Sequence, residues 1–320
     1  MRTQMIRRLA FGLAASLGFA AAGGLLSIQS PLGASTKRLT PQVRPKTVIV
    51  AAVGDVACSP DSRRGETECH DREVANLISA DRTISKVLLL GDLQYDTGER
   101  SAFAAAFDKT FGVFRDRSIP VPGNHEYASG SADGYFTYFG ARSHPESKGY
   151  YSIDLGDWHV VALNSNCEYV SCTPDSPQVA WLRTDLATTT KRCIAAIWHH
   201  PRFSSSKHGN DDRSAAFWAE LLAARADLVL TGHDHMFERF DPQDANATPS
   251  ASGLRSFVVG TGGRSLYGVE NVQANSARRI SGFGFLRLEL RSGTYRWKFV
   301  PDNQTTIASD VGSGKCLKKR

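Results

Sequence analysis

KVLLLGDLQY, residues 86–95, reads as a short strand that delivers a functional loop. Lys86 to Leu90 supplies the strand, Gly91 turns the chain, and an acid (Asp92) and a phenol (Tyr95) follow at once. Four other stretches repeat this plan: VIVAAVGD at 48–55, SIPVPGNHE at 118–126, CIAAIWHHP at 193–201 and LVLTGHDH at 228–235. The run Val48 to Val53 is continuously apolar, as expected of a strand buried on both faces. In α/β sheets ligands collect just beyond the carboxyl ends of strands, so the five loops are expected to meet at one edge. Taken singly, Gly-Asp or Gly-Asn-His makes an ordinary turn. Together the loops offer two carboxylates, a phenol, an amide oxygen and imidazoles, a set able to hold two metal ions with open positions between them. His125, His199, His200, His208, His233 and His235, six of the nine histidines, fall in or beside these stretches.

Outward from the loops, helices are expected over 71–79, 99–111, 177–186 and 213–225. In the second of these, Phe103, Phe107 and Phe111 recur at helical spacing and read as core contacts. Alternation over 150–155 and 158–164 predicts a hairpin around Gly156-Asp157, and strands are expected at 256–259, 283–290 and 294–300. Strands alternating with helices, then a run of strands, predict an α/β fold: a layered β-sandwich flanked by helices, forming a single catalytic domain over 47–306. Residues 1–34 read as a signal peptide, with Arg2, Arg7 and Arg8 before an apolar stretch, or as an N-terminal anchor if retained. Residues 35–46 read as a linker and 307–320 as a flexible basic tail.

The net charge of +6 invites a nucleic-acid reading, but its location argues against one. Residues 1–46 carry seven basic groups and no acid, and the last ten carry four and no acid. The stretch between them is therefore net acidic, which is no phosphate-backbone footprint. Six cysteines suit an exported protein. Cys58 with Cys69 and Cys167 with Cys172 are the expected local pairs, which leaves Cys193 and Cys316 with no pairing assigned and a buried thiol in a strand as one reading of Cys193. His70, His144 and His159 stand outside every motif and are expected to be structural.

The order Gly-Asp, Gly-Asp, Gly-Asn-His-Glu, His, Gly-His-x-His resembles that of the calcineurin-like metallophosphoesterases. Most of that superfamily begin with Asp-x-His, whereas Asp55-Val56-Ala57 has Ala in the third place. Asp92-Leu93-Gln94-Tyr95 instead resembles the Gly-Asp-x-x-Tyr of the purple acid phosphatases, whose tyrosinate takes over that coordination. The resemblance covers roughly residues 48–263. It implies a metallophosphoesterase-like α/β/β/α fold, with Asp55, Tyr95 and His235 on metal 1, Asp92 bridging, and Asn124, His199 and His233 on metal 2. The ligand chemistry agrees: a phenolate with carboxylates suits Fe(III), and imidazoles with an amide suit Zn, Mn or Fe(II). The family places its ligand His before a variable residue and Pro, as in His199-His200-Pro201, which favours His199 over His200.

By the same resemblance His125 faces the substrate and is the first candidate acid; His208 is the second. His200 and Arg264 are expected at the substrate side of the site, with a packed core imidazole as the alternative for His200. Glu126 orients His125 or is simply solvated. The loop Gly260-Thr261-Gly262-Gly263-Arg264 either presents N–H groups to phosphate or is a turn. The function expected is hydrolysis of phosphate monoesters, small-molecule substrates, by metal-bound hydroxide at a dinuclear centre. The alternatives are a phosphodiesterase or nucleotidase on that centre and, remotely, a non-catalytic cell-surface binding protein. A secreted or periplasmic location is expected, without stable membrane association once the signal is cleaved and without nucleic-acid partners.

Overall fold

A computed structural model of the chain describes residues 47–65, 68–302 and 309–317. The expected signal segment and linker lie outside these residues. In chain order, β1 (Val48–Val53) leads to α1 (Asp71–Ala80), β2 (Lys86–Leu90), α2 (Arg100–Ala105), β3 (Ser118–Val121) and α3 (Asp133–Phe139). The hairpin β4 (Tyr151–Leu155) and β5 (Trp158–Ala162) follows, then α4 (Pro177–Thr188), β6 (Cys193–Ile197), α5 (Ala215–Ala223), β7 (Leu228–Thr231) and β8 (Phe237–Phe240). Next come β9 (Arg255–Val259), β10 (Ser276–Ile280), β11 (Gly284–Arg291), β12 (Thr294–Pro301) and β13 (Val311–Lys315).

These strands build two sheets, ordered β13-β12-β11-β1-β2-β3 and β10-β8-β9-β7-β6-β5-β4. β1, β2 and β3 run parallel in the first, and β5, β6, β7 and β9 run parallel in the second. Each central strand is apolar on both faces because each sheet is covered twice. From β1, Val50 and Ala52 enter the core between the sheets, with Leu88, Leu90, Ala195, Ile197 and Leu230. Ala51 and Val53 point the other way, to Val74, Ile78, Phe103 and Phe107 on the helical side. The outer face of the second sheet packs on α4 and α5 through Val179, Leu182, Phe217 and Trp218. The result is the expected α/β/β/α sandwich. Among the described residues no helix is long and apolar enough to cross a membrane.

Three local expectations change. The helix expected over 99–111 stops at Ala105, because the Phe107 N–H donates to Gln94 Oε1 (2.9 Å) and the chain continues in 3-10 turns. Phe103, Phe107 and Phe111 are nonetheless fully buried, as core contacts should be. The tail expected over 307–320 is in part a strand: β13 pairs with β12 over its whole length. Its glycines look flexible in sequence, but a side chain at Gly312 or Gly314 would collide with the rings of Trp297 or Tyr295. Finally, Cys193 is no free thiol. It is bonded to Cys316, 123 residues away, while Cys58–Cys69 and Cys167–Cys172 pair as expected.

Candidate metal centre

The sandwich brings five strand ends to one edge, and each carries a polar donor. Asp55 follows β1, Asp92 follows β2, Asn124 follows β3, His199 follows β6, and His233 and His235 follow β7. Asp55, Asp92 and His233 adopt left-handed backbone, with φ of 58°, 49° and 71°. Asp and His accept that conformation better than most residues, yet it still costs roughly 1 kcal/mol at each. Such strain persists only where surrounding contacts over-determine it. Those contacts are present: the N–H of Asp55 donates to Gly91 O (3.0 Å) and that of Val56 to Asp92 O (3.0 Å). At Gly123 a Cβ would strike the Asp92 backbone and carboxylate, which explains why glycine precedes Asn124.

Backbone amides also aim the carboxylates. The His233 N–H donates to Asp55 Oδ2 (2.8 Å) and the His125 N–H to Asp92 Oδ1 (2.9 Å), leaving one oxygen of each acid free to turn inward. There the Tyr95 hydroxyl lies 2.9 Å from Asp55 Oδ1, 3.0 Å from Asp92 Oδ2 and 3.0 Å from His235 Nε2. His235 Nδ1 lies 2.5 Å from Ser265 O, which fixes its proton there and leaves Nε2 a bare lone pair. One phenol proton therefore faces three acceptors. The second group repeats the pattern. His199 Nδ1 donates to Leu90 O (2.8 Å), which turns Nε2 inward, where it lies 3.2 Å from each of Asp92 Oδ2, Asn124 Oδ1 and His233 Nδ1.

Acceptors crowded against acceptors need a cation between them. Ligand atoms about 3 Å apart are the spacing expected around a cation roughly 2.1 Å from each. Asp92 Oδ2 belongs to both groups, so the donors fit a dinuclear metal centre with Asp92 shared. Electrostatics agree. Burial would lower the His199 imidazole, but the Asp92 charge beside it prevails and pushes it up to about 9. Burial, then Asp55 and Asp92, push the Tyr95 phenol well above its ordinary value. The pocket thus stores negative charge and calls for positive.

The remaining candidates separate. His125 is at the rim, its Nδ1 2.6 Å from Asp96 O and its Nε2 3.8 Å from Asp92 Oδ2. His208 stacks on His233 with centroids 4.1 Å apart. Arg264 also lines the rim, with its guanidinium over the Tyr95 ring and 3.1 Å from Asp96 Oδ1. His200 differs from the expected substrate contact: it is only 2 % exposed, its Nδ1 is tied to Ser165 Oγ (2.8 Å), and it offers almost no surface to a substrate. Glu126 does not orient His125. It accepts N–H groups from Gly123, Leu93 and Gln94, binding the loop after β3 to the loop after β2. Burial and the Asp92 charge push its carboxyl up to about 7.

The glycine loop is a brace and no phosphate cradle, since Gly260, Gly262 and Arg264 donate their N–H groups to Met236, Gly54 and Asp55 carbonyls. Sequence reasoning gave no role to Tyr267, which stacks on His235 (centroids 4.0 Å), or to Asp234, which bonds His208. Asp234 stood inside a quoted motif, but only the fold reveals its partner.

The chain matches the model of the calcineurin-like phosphoesterase family over residues 49–237. It is 29% identical over 255 residues to purple acid phosphatase 21 of Arabidopsis thaliana, covering 72% of this chain and 57% of that one. It is 27% identical over 260 residues to tartrate-resistant acid phosphatase type 5 of Sus scrofa, covering 69% of this chain and 74% of that one. The chain thus spans little more than half the length of the plant relative. Its fold matches a purple acid phosphatase from yellow lupin seeds at a TM-score of 0.65 and 17% identity, over 84% of this chain and 54% of that one. With more than half of its residues inside the family match and the family's metal-binding loops gathered at one edge, the chain belongs to the calcineurin-like phosphoesterases and, within them, is similar to the purple acid phosphatases.

Proposed function

We propose that this protein hydrolyses phosphate monoesters at a dinuclear metal centre. The observation that carries the reading is the meeting of Tyr95, Asp55, Asp92 and His235 around one point, with Ala57 where most of the superfamily have a ligand histidine. Asp55, Tyr95 and His235 hold one cation, Asn124, His199 and His233 the other, and Asp92 both. The first set is hard and anionic and suits Fe(III); the second suits Zn, Mn or Fe(II). Bound there, the pair supplies Lewis acidity, which acidifies a water and offsets the charge on phosphoryl oxygens. The chain's own groups do the rest. His125 donates to a phosphoryl oxygen from the rim, and Arg264 adds a guanidinium beside it. Three disulfides support an oxidising compartment, so we read the protein as exported, with 1–34 as its signal and the substrates as small phosphate esters.

The test is a comparison of rates on 4-nitrophenyl phosphate and bis(4-nitrophenyl) phosphate by the metal-loaded protein. We expect kcat/KM to favour the monoester by roughly tenfold or more. A diester preference would move the protein to the phosphodiesterases. Two bound metals without turnover of any ester would make it a binding protein on a hydrolase fold.

A further inference from the structure

We propose that a cavity between β3 and β4, remote from the metal loops, binds a small organic anion with an apolar, ring-sized body. These two strands end the two sheets, and the cavity of about 580 Å³ opens between them. That volume falls within the roughly 300–1,000 Å³ of small-molecule sites. Lys86 and Ser118, the first residues of β2 and β3, line it, whereas Asp92 and Asn124 follow the opposite ends of those strands. At about 3.3 Å per residue the two places lie on the order of 15 Å apart. The floor is apolar, made by the buried Ile119, Phe139 and Tyr151. The His144 ring stacks on that of Tyr151, with centroids 4.3 Å apart, and so extends the floor as a flat surface.

The walls carry charge of one sign. Lys86, Arg115, Arg142 and His144 line the cavity and no Asp or Glu does, in a body that is otherwise net acidic. Lys86 shares the face of β2 that sends Leu88 and Leu90 into the core between the sheets. Its stem therefore lies along apolar surface while its ammonium reaches the cavity. Arg115 is held at the wall with its guanidinium over the Tyr138 ring (5.0 Å). Arg142 and His144 have acids at 3.5 and 3.1 Å, but these are Asp116 and Glu146, 95% and 70% exposed and outside the lining; among the described residues no carboxylate pairs with Lys86 or Arg115. Like charges gathered over a low-dielectric floor focus a positive potential, and an anion relieves it. An inorganic ion would leave the floor wet and a hydrocarbon would leave the cations unanswered, so the site selects a molecule with both parts. An added peptide strand fits less well, because β3 has only four residues and Pro120 among them offers no N–H.

The test is titration calorimetry of the full metal-loaded protein with three probes: naphthalene-2-sulfonate, its neutral counterpart 2-naphthol, and inorganic sulfate. The wild type is expected to bind a single sulfonate with Kd on the order of 100 µM, and naphthol and sulfate at least about tenfold more weakly. Lys86→Gln and Arg115→Gln should each weaken the sulfonate about tenfold. Ala141→Trp, at an exposed position in the lining, keeps every cation but fills the space and should abolish binding. Arg115 is exposed as well, so these two variants carry the test even if Lys86→Gln folds poorly. Equal affinity for naphthol or for sulfate, affinity unchanged by the variants, or no heat with any probe overturns the proposal. Sulfonate binding that vanishes when the metals are chelated overturns it too, because the probe would then sit at the metal centre. None of these outcomes depends on turnover, so failure here and failure of the hydrolytic reading stay distinct.

Discussion

The Tyr95 hydroxyl has one hydrogen and three partners, Asp55, Asp92 and His235, and burial beside two carboxylates keeps it protonated unless a cation displaces the proton. Iron bound there would displace the phenol proton and give a phenolate with a visible charge-transfer absorption. We predict that Tyr95→Phe abolishes the visible absorption of the iron-loaded protein and lowers its iron content. An unchanged spectrum would place Tyr95 off the iron. This residue was legible in sequence because a phenol three places after Gly-Asp is a local pattern. Glu126 was not. Its partners at Leu93 and Gln94 are backbone groups more than thirty residues away, and no residue type advertises a backbone donor.

At the scale of elements, His159 on β5 ties the hairpin to α4, its Nδ1 2.9 Å from Asp154 Oδ1 and its Nε2 2.7 Å from Asp185 Oδ2. Burial would lower its pKa, but the hydrogen bonds to Asp185 and Asp154 prevail and raise it above the ordinary 6.5. A histidine raised in the folded state adds stability that is fully present below 6.5 and is lost as pH climbs through the folded value. We predict that the stability gap between wild type and His159→Gln, from urea unfolding, is largest near about pH 6 and shrinks toward about pH 9. A gap that widens with pH would contradict the pairing. Most elements were legible, since apolar runs bounded by glycine and polar loops mark β1, β2, β6 and β7 plainly. The errors came from distant partners. Gln94 breaks the helix near Ala106, and the rings of Trp297 and Tyr295 decide that Gly312 and Gly314 lie in a strand. Cys193 looked like a thiol because its partner lies 123 residues on.

For the whole molecule, the centre joins the two sheets. Asp55, Asp92, Tyr95 and Asn124 follow strands of the first sheet; His199, His233 and His235 follow strands of the second. Cations that bind only the folded chain stabilise it by about 4 kcal/mol per site at a thousandfold excess over Kd. Removing both should lower Tm by on the order of 10 °C or more. We predict that calorimetry before and after exhaustive chelation records this loss, and that restoring iron and zinc recovers it. An unchanged Tm would argue against a centre that spans the sheets.

The bond from Cys193 to Cys316 also has a topological meaning. It makes a covalent ring of the chain from β6 to just past β13 and leaves everything before Cys193 as an open strand of polypeptide. A protease that cuts once inside the ring opens it without releasing a fragment. A cut in the open part, outside its two short disulfide loops, divides the molecule. The proposed metal donors are split across that boundary, four on the open part and three within the ring. Strand pairing also crosses that boundary, β1 on β11 and β5 on β6, so bound cations would add a removable clasp to contacts that already hold a nicked molecule together.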